Sequence, residues 1–161
     1  DTILFGPDAN LAAYVQREIP GKTIIPVPPG GHCYVHVGFT TADVEAARKK
    51  GSMIVCHPEC PPEIQERADL IASTGGMTKG AMSGGDSWSV FTEREMVCRL
   101  RMLYPDQVFY EKSEAVCADM KKISIADLWR ALECEEYEVV LPREIMDRAR
   151  QAIERMIAVG A

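Results

Sequence analysis

The sequence predicts an α/β fold of stacked βαβ units with parallel sheets, and three observations point there. Short apolar, β-branched runs alternate with stretches of helical periodicity along the whole chain. Proline, glycine and hydroxyl residues punctuate the joins where strands give way to helices. The chain has 161 residues, 47% of them hydrophobic, which suits one ordinary domain or one domain with part of a second.

Thr2–Phe5 reads as the first strand. After Gly6-Pro7-Asp8, the spacing of Leu11, Ala12, Tyr14 and Val15 marks a short helix. Residues 22–27 are extended and run into Pro28-Pro29-Gly30-Gly31, a stretch that excludes helix. Thr40 or Thr41 caps a helix to Lys50, with Asp43 and Glu45 early and Arg48, Lys49 and Lys50 late, the order a helix dipole favours. Met53–Cys56 is a strand, and Pro61-Pro62 opens a helix to residue 67, proline being welcome in a first turn. Residues 69–72 are a strand, and the glycine-rich 74–85 is a loop with at most a short helix. The alternation repeats: strand 88–91, helix 94–104, strand Val108–Tyr110, a loop carrying Cys117 to Met120, and a Ser124-capped helix to 135. Residues 137–141 are extended, and Pro142 opens a last helix to 159.

Acidic residues outnumber basic ones by 24 to 18, giving a net charge of −6 that is spread along the chain. Such an unpatterned acidic surface argues against nucleic acid as the main partner. No apolar run reaches about 18 residues, so no membrane span is expected. The start, Asp1-Thr2-Ile3-Leu4-Phe5, is neither a signal peptide nor an initiator methionine, and reads as a strand already inside something larger. Six cysteines without a CxxC pair fit neither a disulfide scaffold nor a zinc ribbon. Reduced thiols in a cytoplasmic protein are the expectation, some buried and some available to a metal.

In parallel α/β sheets, ligands bind beyond the carboxyl ends of the strands. Four loops in those positions carry reactive side chains. Residues 31–36 hold His32, Cys33 and His36, and residues 56–60 hold Cys56, His57, Glu59 and Cys60. The others are Ser73-Thr74-Gly75-Gly76 and residues 115–120, with Cys117 and Asp119. All three histidines of the chain fall in the first two loops beside cysteines, a crowding that chance rarely makes. Thiolates suit soft metal centres, and iron–sulfur clusters gather cysteines from separated loops. Cys33, Cys56, Cys60 and Cys117 are therefore the loop candidates, and the pattern alone does not choose among them. Cys98 and Cys134 fall within helices, where the role of a small apolar packing residue fits. His57 and Glu59 flank Pro58, which restricts where they point; they suit either a general acid–base pair or a helix start backed by Glu59. Ser73 to Gly76 offers hydroxyls and backbone N–H groups to a carboxylate or phosphate, or is an ordinary turn.

Several of these motifs stand in a familiar order. They are Phe5-Gly6-Pro7-Asp8-Ala9-Asn10-Leu11, Gly31-His32-Cys33-x-Val35-His36, His57-Pro58-Glu59-Cys60, Ala68-Asp69 followed by Ser73-Thr74-Gly75, Thr92-Glu93, and Cys117-x-x-Met120-Lys121. With Val139-x-Leu141-Pro142 and Arg155-Met156 in the tail, the chain resembles the C-terminal half of quinolinate synthase from about residue 3 to 157. The resemblance implies a pseudo-threefold quinolinate synthase fold of three α/β domains. Residues 1–30 would end the middle domain, 31–118 form the third, and 119–161 be C-terminal helices packing back on the first domain, absent here. It also implies the condensation of iminoaspartate with dihydroxyacetone phosphate to quinolinate, with loss of phosphate and water, in NAD biosynthesis. A functional link to L-aspartate oxidase belongs to the same expectation.

The family's 4Fe-4S cluster sits on three cysteines and keeps one iron position open as a Lewis acid. Position by position, Cys33 and Cys117 look like two of those ligands, and Cys56 and Cys60 like none. His57 and Glu59 correspond to the substrate-binding, acid–base pair around Pro58, and Thr74 to a hydroxyl holding a substrate carboxylate. Ser73 and His36 are secondary substrate-binding candidates. The family is roughly twice this length, so the resemblance implies that the third cysteine and the rest of the site lie in the missing N-terminal portion. Activity is then expected only within a longer or associated protein. Smaller departures are Tyr34 after Cys33 and Arg94-Glu95 after Thr92-Glu93. The alternative reading is a non-catalytic metal- or metabolite-binding module that kept the loops and lost the chemistry.

Overall fold

Thr2–Phe5 (β1) and Thr23–Pro26 (β2) pair in parallel, with Thr2 opposite Thr23 and Phe5 opposite Pro26. Parallel neighbours need a crossover, and the helix Ala9–Glu18 (α1) supplies it. Its ten residues contain Leu11, Ala12, Tyr14 and Val15, the positions that mark it in the sequence. Asp8 caps α1, its Oδ1 accepting from Leu11 N at 2.8 Å. The computed structural model describes residues 1–79 and 84–160, which fall into two compact units, Asp1–Cys117 and Ala118–Ala161.

A second sheet lies in the first unit. Met53–Cys56 (β3), Leu70–Ile71 (β4), Ser87–Phe91 (β5) and Val108–Tyr110 (β6) are all parallel, in the order β4-β3-β5-β6. Thr41–Lys49 (α2) and Pro62–Gln65 (α3) bring Val44, Ala47 and Ile64 to a cluster that also takes Ile54, Cys56 and Phe91. Thr74–Thr78 (α4) and Glu95–Leu103 (α5) bring Met77, Val97 and Leu100 to a second cluster, with Val55, Trp88 and Val90. Successive strand residues alternate between the two clusters because strand side chains alternate between faces. Both faces of β3 are covered, so Ile54, Val55 and Cys56 are all 0% exposed, and the strand reads as an unbroken apolar run.

Local signals explain the element ends. Thr40 and Asp43 close a capping box at the start of α2. Asp69 anchors the approach to β4, accepting from Ile54 N at 2.7 Å while Arg48 pairs with it at 2.6 and 3.0 Å. The segment after Ser73 opens as α4, and the rest of the loop expected over 74–85 falls partly at 80–83, outside the described residues.

The second unit contains Ile125–Cys134 (α6) and Arg143–Gly160 (α7). Ser124 and Asp127 close the capping box of α6, whose side chains are all unburied, among them Ile125, Trp129 and Leu132. Two expectations need correction. Cys98 and Cys134 do lie in α5 and α6, but both are exposed: α5 buries Val97 and Leu100 instead, and α6 buries no residue. In the stretch expected to be extended over 137–141, Tyr137 departs with φ 66°. Among the described residues no helix is long and apolar enough to cross a membrane.

Candidate active site

β3 and β5 end level, Cys56 opposite Phe91, so the next residues, His57 and Thr92, leave the sheet side by side. His57 N donates to Phe91 O at 3.1 Å and Cys60 N to His57 O at 2.9 Å, which bends the chain into a turn around buried Pro58. The turn's carbonyls need donors, and Gln65 of α3 supplies them: its buried amide reaches Pro58 O at 2.8 Å and Cys60 O at 2.7 Å. Arg17 of α1 holds the other end of that amide.

His36 enters from the turn His36–Gly38 and is 8% exposed. Its Nδ1 is 2.9 Å from Glu59 Oε2 and its Nε2 is 2.9 Å from Thr92 Oγ1. A carboxylate only accepts, so the neutral ring carries its proton on Nδ1, and Nε2 accepts from the Thr92 hydroxyl. The rings of His36 and His57 stack with centroids 4.5 Å apart and 13° between planes. Glu59 N donates to His57 Nδ1 at 3.3 Å, which leaves the proton of a neutral His57 on Nε2. Burial pushes His36 below the ordinary histidine value, against an opposing pull from Asp8. Burial does the same to His57, helped by its neighbour His36. Glu59 is pushed above the ordinary carboxylate value, again chiefly by burial, with His57 pulling the other way. The result is two neutral imidazoles beside a carboxyl of raised proton affinity, a set suited to moving protons.

Cys33 and Cys117 are half-buried thiols in no disulfide, and both pack against the same apolar cluster. The Cys33 thiol, a His36 ring nitrogen and a Glu59 oxygen lie within 4.8 Å of one another. Tyr34 donates its hydroxyl to Cys117 Sγ at 3.5 Å, and Glu93 Oε1 accepts from Cys117 N at 3.4 Å. A cleft of about 400 Å³ is lined by Tyr34 and Val35 from one cysteine loop and Ala115 and Val116 from the other. Two reachable soft donors on separate loops fit an iron–sulfur group. Cys56 and Cys60 are 0% exposed instead, and the Cys60 thiol is pushed up by its hydrogen bond with Cys56 and by burial, which keeps it protonated.

Ser73 and Thr74 are exposed at the end of β4, the neighbour of β3. Ser73 caps α4, accepting from Gly76 N at 3.1 Å, and Thr74 is the helix's first residue. His32 is exposed, its Nδ1 3.0 Å from Gly30 O, and stays outside the His36–Glu59–His57 group. Sequence reasoning gave no role to Asp8, Asn10, Thr92 or Glu93. The signal available for them was an acid, amide or hydroxyl within a few residues of a strand's carboxyl end.

The family model described as Quinolinate synthetase A protein matches residues 1–158. Quinolinate synthase of Pyrococcus furiosus is 54% identical over 163 residues, covering 99% of this chain and 53% of its own length. The quinolinate synthase of Methanothermobacter thermautotrophicus is 46% identical, covering 99% of this chain and 53% of its own length. That of Methanocaldococcus jannaschii is 38% identical, with 99% and 54% covered. The chain spans about half the length of the curated relatives it matches. With the same motifs placed on parallel α/β sheets, the chain belongs to the quinolinate synthetase A family.

Proposed function

We propose that this chain supplies the C-terminal half of a quinolinate synthase active site, which condenses iminoaspartate with dihydroxyacetone phosphate in NAD biosynthesis. The observation that carries the reading is the convergence of Cys33, His36 and Glu59 within 4.8 Å beside His57, in a chain so similar to proteins of that name. Cys33 and Cys117 hold a 4Fe-4S cluster together with a cysteine from the remaining portion of the enzyme. When bound, such a group with an open iron position supplies a Lewis acid that makes hydroxide a tolerable leaving group.

The other roles belong to this chain's own side chains. Glu59, with its raised proton affinity, takes a proton from carbon beside the imine or carbonyl and returns it to a leaving oxygen. His57 donates from Nε2 to a substrate oxygen, and its stacking on His36 holds that direction. His36 is a secondary binder whose tautomer Thr92 and Glu59 set. Exposed Thr74 and Ser73 offer hydroxyls to a substrate carboxylate.

In the same reading, residues 1–30 close the middle domain of three and residues 31–118 form the third. Residues 119–161 cover the first domain with their apolar helices. The test is turnover from both substrates by the complete protein, purified without oxygen. Glu59→Gln is expected to lose at least about a hundredfold in rate, the contribution of one general base, with iron content unchanged. Full turnover by that variant overturns the role given to Glu59, and no turnover by the parent protein leaves a binding module in place of the enzyme.

A further inference from the structure

Asp8 is 3% exposed, and its two carboxylate oxygens are committed in different directions. Oδ1 accepts from Leu11 N at 2.8 Å and starts α1. Oδ2 accepts from Cys33 N at 2.9 Å, 25 residues along the chain. A cap needs only one of these bonds, and serine or asparagine caps a helix as well as aspartate does. The second bond calls for a two-oxygen acceptor. Its neighbours act on the same region: Ala9 N donates to Gly31 O at 2.8 Å, and Asn10 Nδ2 to Glu59 O at 3.1 Å. The close approach depends on Gly31, where a Cβ would stand 2.0 Å from Pro7 O. One turn of α1 thereby grips both the Cys33 loop and the Glu59 loop.

We propose that Asp8 is a positioning residue for Cys33, holding its peptide N–H so that the thiol stays aimed at the metal group. The proposal rests on the reading of Cys33 as a cluster ligand. Bonds to a carboxylate are charge-assisted and stronger than neutral ones, so one such bond can fix a loop that is otherwise free to turn.

The test uses the complete protein and Asp8→Ser, which keeps a helix cap and is too short to serve Cys33 as well. Losing one charge-assisted bond is expected to speed deuterium exchange at the Cys33 amide about tenfold. Iron loss from the anaerobically reconstituted variant to a chelator is expected to quicken by about the same factor, while exchange at Leu11 holds. A cap with no other duty would leave iron loss unchanged. Unchanged exchange at Cys33 overturns the proposal, and so does faster exchange with unchanged iron loss. Should Asp8→Ser fail to fold, wild-type exchange decides: a Cys33 amide exchanging as fast as a free peptide overturns the proposal, and a protected one supports it. Wild-type protein that takes up no iron marks failure of the cluster reading itself, whereas exchange at Cys33 still reports on the Asp8 bond.

Discussion

The ring of His36 is held at both nitrogens and across one face, by Glu59, Thr92 and His57. That confinement gives a pH signature. His36 and His57 both titrate below 6.5 when folded, so just below that pH the unfolded chain binds more protons, and stability falls as pH drops. Glu59 opposes them: its raised folded value means that stability is lost as pH rises through that value. Two buried imidazoles outweigh one more exposed carboxyl, so the denaturant midpoint is expected to be lower at about pH 5.5 than at about pH 7.5. His57→Gln should flatten the difference, and an equal midpoint at both values in the parent contradicts the reasoning. At this scale the crowding of Cys33, His36, His57 and Glu59 into two loops was legible in the sequence, while the choice of Cys33 and Cys117 over Cys56 and Cys60 rested on the family resemblance. For Asp8 and Thr92 the sequence offered only their places after strands, because their bonds to Cys33 and His36 reach 25 and 56 positions along the chain.

Among the elements, β3 is the best determined by its sequence, since covering both faces demands an unbroken apolar run. Ile54→Ala is expected to cost about 3 kcal/mol in chemical denaturation, as a fully buried branched side chain leaves a cavity. The loop leading to Cys33 makes a sharper test. Gly31→Ala puts a Cβ into Pro7 O and should cost about 2 kcal/mol, whereas Gly30→Ala, with nothing within 4 Å, should cost little. Equal effects would show that α1 and this loop do not meet so closely. The strands were legible from β-branched runs and the helices from caps such as Thr40 and Ser124. Residues 137–141 carry a strand-like composition but join no strand among the described residues, and composition alone cannot supply a partner.

At the scale of the molecule, apolar surface is spread unevenly. Leu4 is 72% exposed in the two-stranded sheet, and Ile125 86%, Trp129 61% and Leu132 78% in α6. A two-stranded sheet is marginal on its own, and so is an amphipathic helix with its apolar stripe in water. The proposed three-domain arrangement covers both. Trp129 reports on it, since the other tryptophan, Trp88, is 2% exposed and can be replaced by phenylalanine. Trp129 emission is expected at long wavelength in the 161-residue chain and shifted to the blue in the complete protein. Identical spectra would argue that nothing covers α6.

Cys33 and Cys117 are proposed to hold one metal group together. Iron and acid-labile sulfide in the anaerobically reconstituted complete protein test it most directly, with Cys33→Ala and Cys117→Ala beside the parent. About four of each per chain in the parent, and loss from both variants, is the expected result for a 4Fe-4S cluster. Full iron and sulfide in either variant would rule out a cluster held by both cysteines.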